Sequence, residues 1–124
     1  MATNACAGNK ATLNFNLKDY STKDEVLKRV KNITYLGGNT NTTGGLKKAR
    51  LRVFDPNYQQ RPNVQRTIVL ITDGKPTYDN ATLDEEVLKI KRENIRIIAL
   101  GVTKEVFLKP SFYKRQYLTH NLLR

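Results

Sequence analysis

Thr67-Ile-Val-Leu-Ile-Thr-Asp-Gly-Lys75 is the stretch that decides the fold. Its first six residues are apolar or β-branched without alternation, the pattern of a parallel strand covered on both faces. Asp73-Gly74-Lys75-Pro76 then breaks the strand. A helix is expected at about Leu83 to Glu93, capped by Thr82 with Glu85. Asp84, Glu85 and Glu86 stand at its start and Lys89, Lys91 and Arg92 at its end, so each end of the helix dipole meets the opposite charge. Ile95 to Val102 reads as another buried strand. Strand, helix and strand in this order predict a Rossmann-like, doubly wound α/β fold with a mostly parallel sheet.

Working back toward the start, a helix is expected from about Thr43 to Val53, with Leu46, Ala49 and Val53 facing inward. Asp55-Pro56-Asn57 and Arg61-Pro62-Asn63 mark a surface loop after it. Before it, Ser21-Thr22-Lys23-Asp24-Glu25 holds two overlapping capping boxes that start a helix over 22–32. Val26, Val30 and Ile33 recur at i, i+4 and i+7, which predicts one buried face. Thr12 to Leu17 alternates, with Leu13, Phe15 and Leu17 on one side, as in a half-buried antiparallel strand at a sheet edge.

The chain has 124 residues, the size of one domain. Its longest apolar runs, Ile68 to Ile71 and Ile97 to Leu100, are far too short to span a membrane. The opening MATNACAGNK has no apolar stretch, so no signal peptide is expected there. Net charge is +11. Lys23, Lys28, Arg29 and Lys31 lie on the first helix, and Lys47, Lys48, Arg50 and Arg52 on the next. They read first as a solvated surface and second as attraction to a polyanion such as a glycosaminoglycan or nucleic acid. No nucleic-acid signature is present, so no specific nucleic-acid partner is expected. The single cysteine, Cys6, has no partner for an internal disulfide.

Two places offer chemistry. Asp73 lies beyond the carboxyl end of a parallel strand, where open α/β sheets bind their ligands. The same Asp serves equally as a turn former whose carboxylate accepts N–H bonds from Gly74 or Lys75. Gly37-Gly-Asn-Thr-Asn-Thr-Thr-Gly-Gly45 precedes a helix, so it can cradle a phosphate, cap the helix, or offer hard oxygens to a divalent cation. No Gly-Lys-Ser/Thr follows and no strand leads in, which sets a nucleotide-binding α/β reading last. No nucleophile or base accompanies either loop, so no enzyme is expected.

Together, Tyr35-Leu-Gly-Gly-Asn-Thr-Asn-Thr42, Gly45-Leu46 with Ala49-Arg50, Ile68-Val-Leu-Ile-Thr-Asp-Gly-Lys75 and Ile97-Ile-Ala-Leu-Gly-Val102 closely resemble a von Willebrand factor type A domain. The likeness is to the extracellular kind found in matrilins and microfibrillar collagens. It divides the chain into a non-matching segment over 1–10, a partial A domain over 11–106 and a basic tail over 107–124. It implies protein binding without catalysis, an extracellular location, and a matrix or cell-surface partner such as collagen. The family holds Mg²⁺ at a metal-ion-dependent adhesion site. An Asp-x-Ser-x-Ser motif, a Thr and a later Asp supply its ligands. By motif match the Thr is Thr40 and the later Asp is Asp73.

The sequence departs from the family at both ends. The family's first strand with its Asp-x-Ser-x-Ser loop has no counterpart before Thr12, and its last strand and helix have none after Val106. Asp19-Tyr20-Ser21-Thr22-Lys23 puts a lysine where the second serine belongs and comes at the wrong place in the order. With only Thr40 and Asp73 matched, weak or absent Mg²⁺ binding is the expectation. Asn32-Ile-Thr34, Asn41-Thr-Thr43 and Asn80-Ala-Thr82 are N-glycosylation sequons, meaningful for a secreted chain.

Overall fold

A computed structural model describes residues 3–5, 10–34, 39–57, 63–72 and 80–101. In chain order the elements are β1 (Thr3–Ala5), β2 (Thr12–Phe15), α1 (Lys23–Lys31), α2 (Thr42–Lys48), β3 (Arg66–Thr72), α3 (Leu83–Arg92) and β4 (Ile95–Gly101). A π-helical turn, Ala49–Val53, prolongs α2, and a 3-10 turn, Asn80–Thr82, leads into α3. β3 and β4 pair in parallel from Arg66↔Ile95 to Thr72↔Gly101, joined through α3 as the α/β reading requires. β2 pairs antiparallel with β1, in a segment where the sequence suggested no strand. Asn94 takes φ 56°, the left-handed conformation that asparagine tolerates. It lets the chain leave α3 and enter β4 at once.

One core lies beneath α2 and α3. Leu46, Val53 and Phe54 meet Leu83, Val87 and Ile90 from α3 and Ile95, Ile97 and Ala99 from β4. Leu13, Ile68 and Leu70 pack against this cluster. Leu46, Ala49 and Val53 are buried as their helical spacing predicted.

Three expectations need correction. β3 is not covered on both faces: Ile68 and Leu70 face the core, whereas Val69 is 55% exposed and Ile71 65%. Leu100, opposite Ile71, is 37% exposed on that same outer side. The physical reason is that α2 and α3 roof one face, and no described helix covers the other. α1 likewise has no buried residue, so Val26, Val30 and Ile33 do not form a buried face. At α3, Thr82 occupies the N-cap position but its side chain makes no capping bond, because the preceding 3-10 turn leaves it at ψ 0° instead of the extended ψ usual for a cap. The reading is correct at α1: Thr22 and Glu25 complete a full capping box.

Candidate functional site

The loop before α2 is built around Asn41. Its side chain is buried and accepts the Gly44 N–H at 2.7 Å, the N-cap bond of α2. A Cβ at Gly44 would stand 2.6 Å from Asn41 Oδ1, so glycine is needed here for close approach. Thr42 and Thr43 are buried in the first turn, and Thr40, just ahead, is half-buried in an isolated β-bridge. Asn39 is exposed. The loop is therefore a packed helix start, with one amide that a phosphate would need already committed to Asn41.

Two attachments hold α2 in place. Lys48 Nζ donates to the Ala11 carbonyl oxygen at 2.8 Å, tying the helix to the start of β2. Arg50 Nε donates to Glu86 Oε1 at 2.6 Å, Nη2 to Glu86 Oε2 at 3.3 Å, and Nη1 to Glu93 Oε1 at 2.9 Å. The hydrogen bond that Arg50 donates to Glu86 raises the Arg50 pKa further, against the opposing effect of burial. Glu86 is only 4% exposed, so this clamp joins α2 to α3 inside the protein. The sequence alone places Arg50 among the solvated surface charges and Glu86 among the acids that match the dipole at the start of α3. A signal was present: Glu86 lies three residues after Leu83 and four before Ile90, and Arg50 four after Leu46 and three before Val53. Each thus falls on its helix's apolar face.

Of the two family-matched ligand positions, Thr40 is described, on the loop that leads into α2. Asp73 lies outside the described residues, immediately after Thr72 at the carboxyl end of β3. Lys75, Gly37, Gly38, Val102 and residues 107–124 also lie outside them. Among the described residues, no three of His, Cys, Asp or Glu gather to hold a metal ion. Thr40 contributes a neutral oxygen, so a divalent cation here would depend on carboxylates from elsewhere. Among the described residues no helix is long and apolar enough to cross a membrane.

Residues 5–112 match the family model described as von Willebrand factor type A domain. Integrin alpha-1 of Gallus gallus is 36% identical over 89 residues, covering 71% of this chain and 31% of that protein. The collagen alpha-1(XII) chain of Notophthalmus viridescens is 34% identical over 89 residues, covering 69% of this chain and 9% of that one. Among solved structures, proximal thread matrix protein 1 from the mussel byssus, with a zinc-occupied adhesion-site motif, superposes with a TM-score of 0.74 at 33% identity. That match covers 90% of this chain and 26% of the other. The chain therefore spans less than a third of the length of each of these proteins.

Proposed function

Because the chain belongs to the von Willebrand factor type A domain family, we propose that it is a non-enzymatic binding module of the matrix and adhesion kind, acting outside the cell. The observation that carries this reading is the pair of relatives, an integrin chain and a collagen chain, each aligned with about seven tenths of these residues. The partner class it favours is a matrix or cell-surface protein, with collagen first. The binding edge is the carboxyl end of β3, beside the loop before α2. There Thr40 and Asp73 are the residues of this chain that would hold a divalent cation. Such an ion supplies a positive centre with a free position for a partner's carboxylate. Asn41, whose side chain accepts the Gly44 N–H, fixes the start of α2 directly after Thr40.

With one carboxylate and one hydroxyl between them, these two positions make a weak site, because Mg²⁺ gives up its water reluctantly. The 124 residues should show no saturable Mg²⁺ or Mn²⁺ binding by titration calorimetry at millimolar ion. One-site binding abolished by Asp73→Ala would establish a complete site and overturn this part of the proposal. For the module itself, the test is adhesion of the purified chain to immobilised fibrillar collagen in near-physiological salt. Retention on collagen beyond that on albumin supports the reading, and equal retention on both counts against it.

A second reading rests on charge. α1 buries no residue and carries Lys23, Lys28 and Lys31 exposed beside Arg29, within a chain of net charge +11. A sulfated polysaccharide would find a basic helix there. Elution from heparin separates the two readings, since polyanion binding weakens steeply with ionic strength. The nucleotide-binding reading gains no support from a loop whose Gly44 amide is already bonded.

A further inference from the structure

α1 buries no residue, although Val26, Leu27, Val30 and Ile33 lie on it or just beyond it. These apolar residues divide between two sides. Val26 and Ile33 are half-buried and, with half-buried Arg29, mark the side turned toward the rest of the chain. Leu27 and Val30 are 44% and 36% exposed. With Lys23 they recur at i, i+4 and i+7, a ridge roughly a quarter turn from the half-buried side. Asp24 and Lys31, seven residues apart in sequence, both lie along the outer flank of that ridge. Neither makes an ion pair among the described residues, while the neighbouring acid, Glu25, is committed to the Thr22 capping box.

We propose that this ridge is a self-association surface, on which α1 of a second copy lies antiparallel across a two-fold axis. Charge is the first reason for that occupant. Across a two-fold axis, the outer flank of one ridge meets the same flank of the other, running the opposite way. Asp24 then stands opposite Lys31 of the second copy, and Lys31 opposite its Asp24. The two pairs lie about 10 Å apart along the helix, at 1.5 Å of rise per residue. Register is the second reason. The alignment that opposes these charges also sets Leu27 against Val30 of the second copy, and Val30 against its Leu27, closing two apolar layers. A parallel pair has no such match, because outer-flank charges would then meet the inner flank, which holds Val26 and Ile33. A sulfated polysaccharide has no use for the Asp24 carboxylate or the two apolar side chains. The contact is far smaller than the ~1,200 Å² of a stable complex, so the dimer is weak, with a Kd of about 0.1–1 mM.

The proposal depends on neither the metal nor a matrix or polyanion ligand, and its test reads none of them. The test is sedimentation of the full 124-residue chain in near-physiological salt, over about 0.02–2 mM. The chain should pass from monomer to dimer, with amide shifts centred on Leu27 and Val30 in NMR spectra taken over the same range. Asp24→Lys and Lys31→Asp should each associate at least about tenfold more weakly, because each sets like charges across both pairs. An equimolar mixture of the two variants should dimerise again, since every opposed pair then has opposite signs. Lys28→Asp makes the same charge change as Lys31→Asp but away from the ridge, and should dimerise as the parent does. Because α1 buries no residue, these exchanges leave the core intact. A parent chain that stays monomeric throughout overturns the proposal. Single variants that associate like the parent, a mixture that stays monomeric, or loss of association in Lys28→Asp overturn it equally. Association lost instead in Val69→Thr with Ile71→Thr would place the contact on the sheet and overturn it too.

Discussion

Glu86 is the residue whose surroundings matter most, since its carboxylate is buried and its main partner is the Arg50 guanidinium. Arg50→Met strands that carboxylate and should lower unfolding free energy by about 2–4 kcal/mol in urea titration. Glu93→Ala removes the clamp's outer arm, which is 42% exposed, and should cost less than about 1 kcal/mol. If the two variants cost the same, the clamp does not act as a buried pair. Glu25 provides a pH test. The Thr22 backbone N–H, then the Thr22 hydroxyl, then the Ser21 N–H hold its carboxyl below the usual 4.5. A depressed folded value means stability that is present above 4.5 and is lost as pH falls through the lower folded value. The Thr22 amide resonance should therefore shift below pH 4.5 in the native chain. In Glu25→Gln this acid step should vanish, and its persistence would assign the step to another group.

At the scale of the element, α2 shows how a local rule gives way to packing. Alanine is preferred to glycine in a free helix by about 1 kcal/mol, so Gly44→Ala would ordinarily stabilise. Here its Cβ would collide with the capping side chain of Asn41, and the variant should instead lose about 1–2 kcal/mol through the broken cap. A thermal midpoint at or above that of the parent would show that the cap can move aside. The same burial decides between two sequons. In a secreted chain Asn32, exposed at the end of α1, should carry glycan, whereas Asn41 should stay bare in peptide mass spectrometry. Glycan on Asn41 would mean that the cap is not formed when the chain is modified. Beyond α2, the wider turn closed by the Phe54 N–H to Ala49 carbonyl bond accompanies the burial of both Val53 and Phe54.

Across the molecule, among the described residues, helices roof one face of the β3–β4 ladder and leave Val69 and Ile71 on the other exposed, and stability should divide the same way. Ile90→Ala, at a fully buried position, should cost about 2–5 kcal/mol. Val69→Thr with Ile71→Thr, on the bare face, should cost under about 1 kcal/mol and raise solubility. Comparable losses from both would show that the outer face is covered in solution. The sequence alone determined the βαβ unit, because β-branched runs, capping residues and helix-end charges act over a few residues of chain. It also determined the family, whose contiguous motifs are where Thr40 and Asp73 are proposed as ligand positions. The bare outer face was not legible, because the residues of Thr67–Thr72 are the same whether or not a distant segment covers them. Nor was the strand at Thr3–Ala5, which has no apolar period of its own and is defined by its register against β2. The Arg50–Glu86 clamp lay between the two: helical spacing put each charge on an apolar face, but only the packing of α2 on α3 set each opposite the other. Covering layers and cross-element pairs depend on which distant segments meet, and that was decided by the tertiary structure.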